Sequence, residues 1–396
     1  MRTGLDRVLG APPLMHTLLE GRVGLLAHPA SVASDLTHAA VALRAAGVRL
    51  ELIFGPEHGY GGEAQDMIGV GDARDPEGAP IRSLYGAHIS DLSPGAADLA
   101  ALDVLVIDLQ DIGSRYYTFI WTAVLAMRAC AAAGVRVVVL DRPNPLGGLE
   151  SSLEGRFLEP RCRSFVGLEP LPIRHSMTLG EICAWRREVE ALDVDLRVVA
   201  SEWDRGQLAG AWGRPWVLPS PNMPTLDTAI VYPGGCLLEG TNLSDGRGTT
   251  RPFEITGAPW VDGRRLARDL AATGLPGFVA RPMMFQPTFH KHAGALCGGV
   301  QVHVTDQASF RPVATYLALI AHAHHQAPGD FAFRTERYEF VDDIPALDLL
   351  TGDAEARLRI AAGESPLAIA TAISTLRPGE ADLLTASRAL SLACAC

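Results

Sequence analysis

The sequence predicts an α/β fold in two parts: a parallel sheet flanked by helices, then a second, smaller α/β region. Three observations predict it. Through the first half, short β-branched runs alternate with alanine-rich helical stretches, the pattern of strands buried on both faces. At 396 residues the chain exceeds one ordinary hydrophobic core, so two domains are expected. Proline and glycine then thicken through residues 214–233 and 240–259, placing a boundary near residues 200–230. We draw the domains as 1–215 and 216–396.

The elements follow in order. Residues 22–29 (RVGLLAHP) read as a buried strand running into its loop, and a helix follows around 35–46. Residues 48–55 (VRLELIFG) form the next strand. The clearest pair is 103–110 (DVLVIDLQ) and 135–141 (VRVVVLD), separated by an amphipathic helix over 119–133. Thr178 and Glu181 make a capping box that opens a helix through about Leu192, and 196–200 returns as a strand. In the second region 298–305 (GGVQVHVT) reads as a strand and 310–324 as a helix. Right-handed crossovers put the carboxyl ends of the parallel strands on one edge.

Composition excludes several function classes. A formal net charge of -11 disfavours nucleic acid, whose phosphates need a basic surface. Seven scattered cysteines suit a reducing compartment better than a disulfide framework, and the terminal pair Cys394 and Cys396 reads as a frayed tail. Residues 1–13 lack the apolar core of an export signal, and no run of about 18 apolar residues marks a membrane span. The expectation is a cytoplasmic protein without membrane insertion.

Chemistry gathers in the loops that follow the strands. After the first strand comes HPAS (28–31), after the second GPEHG (55–59), after the 103–110 strand DIGSRYYT (111–118), and after the next DRPNP (141–145). Ligands of open α/β sheets bind outside the carboxyl ends of the strands, so these loops are aimed at one site. A capping or turn role explains any one of them, Asp111 or Ser114 included. Glu57 and His58 sit on a turn between Pro56 and Gly59; a carboxylate in a partly apolar cleft can donate a proton near neutral pH. Tyr116 and Tyr117 offer flat apolar faces for a sugar, and Arg115 could grip a carboxylate.

In the second region, residues 238–254 (LEGTNLSDGRGTTRPFE) form a polar, glycine-punctuated stretch suited to the opposing wall of a cleft, with Glu239 and Glu254 as candidate second carboxylates. His290 and His292, an H-x-H with His303 and Cys297 nearby, look superficially like metal ligands, but no C-x-x-C or H-E-x-x-H accompanies them. No glycine-rich phosphate loop is found. Neither a cofactor nor a metal is expected.

These motifs together resemble the exo-β-N-acetylmuramidase family of glycoside hydrolases, formerly a domain of unknown function. The resemblance rests on PEHG (56–59), DLQDIGSRYYT (108–118), DRPNP (141–145), PIRH (172–175) with Met177 and Thr178, PSPN (219–222), EGTN (239–242) and GRGTT (246–250), in order from about residue 20 to about 390. It implies a Rossmann-like N-terminal domain, a smaller α/β domain, and a cleft between them. It also implies release of N-acetylmuramic acid from the non-reducing end of peptidoglycan fragments. The site residues it suggests are Glu57 as catalytic acid, with His58, Asp111 and Glu239 as further catalytic candidates. Substrate contacts would come from Arg115, Tyr116, Tyr117, Arg142, Asn144, His175, Asn222, Asn242, Arg247 and Thr249. One departure matters: members often carry F-R-G after the histidine, whereas Tyr60, Gly61 and Gly62 stand here, so that arginine is missing.

Two other classes stay open on the sequence. A muropeptide receptor would share the aromatic and arginine residues without needing an acid. A metal-dependent hydrolase would use Glu57, His58, Asp108, Asp111 and His175.

Overall fold

Among the described residues there are ten strands. They are β1 (Val23–Ala27), β2 (Leu50–Gly55), β3 (Ala73–Arg74), β4 (Pro80–Ser83), β5 (Val104–Asp108), β6 (Arg136–Leu140), β7 (Leu196–Val199), β8 (Ile255–Ala258), β9 (Phe278–Phe285) and β10 (Cys297–Val304). The structure is a computed structural model that describes residues 1–65, 67–382 and 384–385, so Cys394 and Cys396 lie outside the described residues. The first seven strands make one sheet in the order β3-β4-β2-β1-β5-β6-β7, parallel except for the edge pair β3–β4. The fold class expected from sequence is the one observed.

Chain order reverses direction at β1: β2 and β4 build outward on one side, β5 to β7 on the other. That switch opens a crevice at the carboxyl edge, the usual ligand position in such sheets. The helix Phe119–Ala133 covers the sheet and buries Phe119, Trp121, Met127 and Cys130. Each large apolar side chain removed from water contributes roughly 1.5–3 kcal/mol. Gly134, at φ 69°, ends the helix in the left-handed region, where a Cβ would be strained. The helix Leu179–Glu190 opens with the expected capping box: Thr178 accepts from the Glu181 amide and Glu181 accepts from that of Thr178.

Some boundaries differ from expectation. The helix expected around 35–46 begins only at Ala39, with His38 as its cap. Leu36 stands at φ 67° and Thr37 bonds Asp35, so the chain turns at 34–35 and returns to bridge His38 with Val32 before the helix. The helix Leu226–Gly235 lies in a stretch read as proline-rich loop; Pro233 is tolerated near its end, where the chain passes into the 3-10 turn Cys236–Gly240. That turn also gives regular structure to the start of the 238–254 stretch.

The second sheet is antiparallel and three-stranded, ordered β8-β10-β9. β9 carries Pro282 and sits at an edge, where a missing N–H costs least. Packed against β9 and β10 is the helix Gly263–Ala271, and on that helix packs the helix Pro312–Gln326. One apolar cluster runs from Ile107 and Trp121 through Tyr232 and Phe253 to Tyr316 and Leu319, so the two regions share a core. Among the described residues no helix is long and apolar enough to cross a membrane.

Candidate active site

A cleft opens where the loops after β2 and β5 meet the 238–254 stretch. It encloses about 490 Å³ including its mouth. From the sheet side come Glu57, His58, Tyr116, Tyr117 and Thr118. From the opposite wall come Glu239, Arg247, Phe253, Tyr338 and Glu339, with Ser220 and Asn222 between.

Glu57 is buried, and its Oε2 accepts a hydrogen bond of 2.6 Å from the Thr118 hydroxyl. Thr118 precedes the helix Phe119–Ala133 without capping it, which leaves its hydroxyl for Glu57. His58 adopts φ 69°, outside the comfortable range for a β-carbon, and its Nδ1 donates to the Ala64 carbonyl at 2.9 Å. That contact folds the long loop after β2 back on itself beside Glu57. At its far end Gln65 accepts from Asn222 at 2.7 Å.

The opposite wall is a chain of alternating buried charges. Glu239 accepts from Arg247 at 2.8 Å and from the Tyr338 hydroxyl at 2.7 Å. Arg247 also pairs with Asp245 at 3.1 Å and lies over the Phe253 ring. Burial works against the charge on Asp245, but Arg247, Lys291 and His290 outweigh it and hold the carboxyl well below its usual range. Burial, reinforced by Glu239, holds the Tyr338 hydroxyl far above the ordinary phenol value, so it stays a donor. Tyr117 is also kept protonated by burial, with Asp111 and Glu57 adding to the effect.

Tyr116, Tyr117, Asn222, Arg247, Glu57, His58 and Glu239 are thus brought together as cleft lining. Other expected residues are not. Arg115 is fully buried and donates to the carbonyls of Arg156, Leu171 and Leu350 at 2.7 Å each, so it ties three segments together and has no reach to a substrate carboxylate. Burial depresses its guanidinium to about 10. Arg142 is committed to Asp108 at 2.5 and 2.9 Å. Asn144 spans the Met177 carbonyl and the Leu146 amide, packed so tightly that a Cβ on Gly113 would collide with its Oδ1.

Asp111 accepts from the Gly113 amide and faces His175 Nε2 at 3.4 Å, buried away from the cleft lining. His175 Nδ1 accepts from the Met177 amide, which leaves the proton on the nitrogen facing Asp111. Asn242 brackets Asp330 and Ala332, and Thr249 closes its own turn onto Gly246. Glu254 is bound by Thr228 at 2.8 Å and does not line the cleft. The metal alternative loses Asp108 to Arg142, and among the described residues no group of three His, Cys, Asp or Glu side chains converges as a metal site. His290 and His292 lie on a turn at φ 68° and 58°, not in a strand.

Sequence reasoning missed Thr118, Ser220, Tyr232, Phe253, Tyr338 and Glu339 as cleft residues. Thr118 ends the RYYT motif, so its loop position was the available signal. Glu339 and Phe340 take φ 43° and 68°, and the Tyr85 hydroxyl bonds Glu339 at 3.1 Å. Neither feature is written in the local sequence.

Residues 23–227 match the family model described as exo-β-N-acetylmuramidase NamZ, N-terminal, and residues 230–376 match its C-terminal counterpart. The chain belongs to the NamZ family. Peptidoglycan β-N-acetylmuramidase NamZ of Bacillus subtilis (strain 168) is 41% identical over 368 residues, spanning 92% of this chain and 85% of that protein. Two crystal structures of DUF1343 family proteins from Bacteroides fragilis NCTC 9343 share the fold. The first has a TM-score of 0.84 at 30% identity, covering 99% of this chain and 97% of that one. The second has a TM-score of 0.73 at 25% identity, covering 98% of each. Glu57, the glutamate of the PEHG loop, lines the cleft.

Proposed function

We propose that this NamZ-family chain is a glycosidase that removes N-acetylmuramic acid from the non-reducing end of peptidoglycan fragments during cell-wall turnover. The observation that carries it is Glu57, buried in the cleft with its Oε2 fixed by the Thr118 hydroxyl. In this reading Oε1 delivers its proton to the glycosidic oxygen as the C1–O bond breaks, and the remaining sugar leaves as an alcohol. Positive charge grows at C1 and the ring oxygen. Glu239, held by Arg247 and Tyr338, and Glu339 are the carboxylates across the cleft that can face it; the substrate's own acetamido group is the alternative. Water then completes hydrolysis at C1.

The rings of Tyr117, Tyr232 and Phe253 suit the apolar face of a sugar, and Asn222 its hydroxyls. Work on small fragments in the cytoplasm fits the five buried free thiols, Cys130, Cys162, Cys183, Cys236 and Cys297. Glu57→Gln keeps an acceptor for Thr118 but removes the acid. It should lower kcat on a chromogenic muramic acid glycoside by about 10²–10⁴-fold with the fold intact. A variant that keeps a near-normal rate would sink the assignment.

A further inference from the structure

Beside the cleft lies a second, wider groove of about 900 Å³ counting its open mouth, lined by Met67, Asn242, His290, His292, Phe333 and Arg334 among others. The three segments that build the cleft run directly into it. The loop bearing Glu57 reaches it at Met67, the segment after Glu239 reaches it at Thr241 and Asn242, and the chain before Tyr338 reaches it at Arg334 and Glu336. Arg334 lies over the Tyr338 ring at 5.0 Å, and that same tyrosine bonds Glu239 inside the cleft. One side chain therefore forms the partition between cleft and groove.

The groove's cations differ in how they are used. Lys291 turns inward: its Nζ donates to the Leu238 carbonyl at 2.8 Å and lies 3.4 Å from Asp245. His290 and His292 flank it in left-handed backbone that histidine rarely adopts, and both line the groove. The inward lysine anchors this strained turn. His292 Nε2 donates to the Asn242 carbonyl at 2.7 Å, fixing that ring. Arg334 donates to the Arg337 carbonyl at 3.1 Å, and among the described residues no carboxylate pairs with it. Glu336 is the carboxylate of the groove lining, and it already accepts from the Thr335 amide. A guanidinium stacked on an aromatic face, with N–H groups left over, is suited to a carboxylate.

We propose that this groove receives the carboxylate-bearing arm of the muramic acid substrate, with Arg334 as its anion contact. The proposal rests on the muramidase reading of the cleft. The arm branches from the sugar held there, so a groove sharing the Tyr338 partition is where it would run. Two sources offer that carboxylate, the lactyl group of the free sugar and the acidic residues of a peptide stem built on it.

Calorimetric titration of the full chain with N-acetylmuramic acid and with N-acetylmuramoyl-L-alanyl-D-glutamate tests it. Arg334→Met should weaken binding by roughly tenfold, and Arg334→Lys should recover part of the loss because charge returns without the planar fork. Weakening for the peptide-bearing ligand alone assigns the groove to the stem; weakening for N-acetylmuramic acid alone assigns it to the lactyl carboxylate, which is an amide in the peptide-bearing ligand; weakening for both means that the groove takes a carboxylate from either source. Wild-type affinity of Arg334→Met for both ligands, or no binding of either by the wild type, overturns the proposal. Failure of the muramidase reading shows separately, as a wild-type protein that leaves the muramic acid disaccharide intact.

Discussion

Replacing Thr118 by valine removes one hydrogen bond and almost nothing else. The two side chains are nearly the same size, Thr118 and Glu57 are 6% and 5% exposed, and the bond they share is 2.6 Å long. A hydrogen bond to a charged acceptor, which Glu57 becomes as its proton leaves in the transition state, contributes about 1.5–3 kcal/mol when solvent is unable to replace it. If the Thr118 hydroxyl serves to aim Oε1 at the leaving oxygen, that energy is lost from the transition state. The corresponding fall in kcat is about 10- to 150-fold. Steady-state rates on a chromogenic muramic acid glycoside read the effect, and KM should move little because Thr118 holds the acid in place before and after binding. The double variant with Glu57→Gln adds a stricter check: once the acid is gone, Thr118→Val should cost no further rate. A Thr118→Val enzyme at wild-type kcat, or full additivity with Glu57→Gln, would refute the assigned geometry.

Two further outcomes follow from buried groups outside the cleft. Arg115→Met strands the carbonyls of Arg156, Leu171 and Leu350 and should destabilise the fold by about 3–5 kcal/mol, read as a lowered urea midpoint; an unchanged midpoint would mean those bonds do not matter. Burial raises the Asp141 carboxyl to about 7, against hydrogen bonds from Thr178 and the Gly180 amide. Because its folded value is the higher one, the stability it contributes is complete below pH about 4 and falls as pH rises. It is gone once pH passes about 7, a change on the order of 4 kcal/mol. Asp141→Asn should therefore flatten the decline in urea midpoint between pH 5 and pH 7.5; an identical slope in the variant would contradict the assignment.

The sheet and the edge carrying the site were legible in the sequence because both depend on local periodicity. Runs such as VLVID and RVVVL are buried on both faces, and strands so built, joined by helices, align their carboxyl ends. The place of Glu57 was legible too, since the PEHG loop follows a strand and Glu57 lines the cleft. What failed was the assumption that polar residues in site loops face the ligand. Arg115, Arg142 and Asn144 belong to the right loops, yet each turns inward to satisfy backbone carbonyls or a buried carboxylate. A loop bent tightly over a sheet leaves backbone groups without partners, and nearby polar side chains are the ones that bond them.

The far wall was beyond reach for a different reason. Tyr338 and Glu339 are 99 and more residues from Glu239 and take their places through a strained turn and the Tyr338 hydroxyl bond to Glu239. Sequence alone determined the α/β sheet, the edge where its parallel strands end and the loop position of Glu57, because strand burial and loop position are set within a few residues. Only the tertiary structure decided which charges are spent on the fold and which side chains complete the cleft. Those outcomes depend on which partner each buried polar group meets after distant segments pack together.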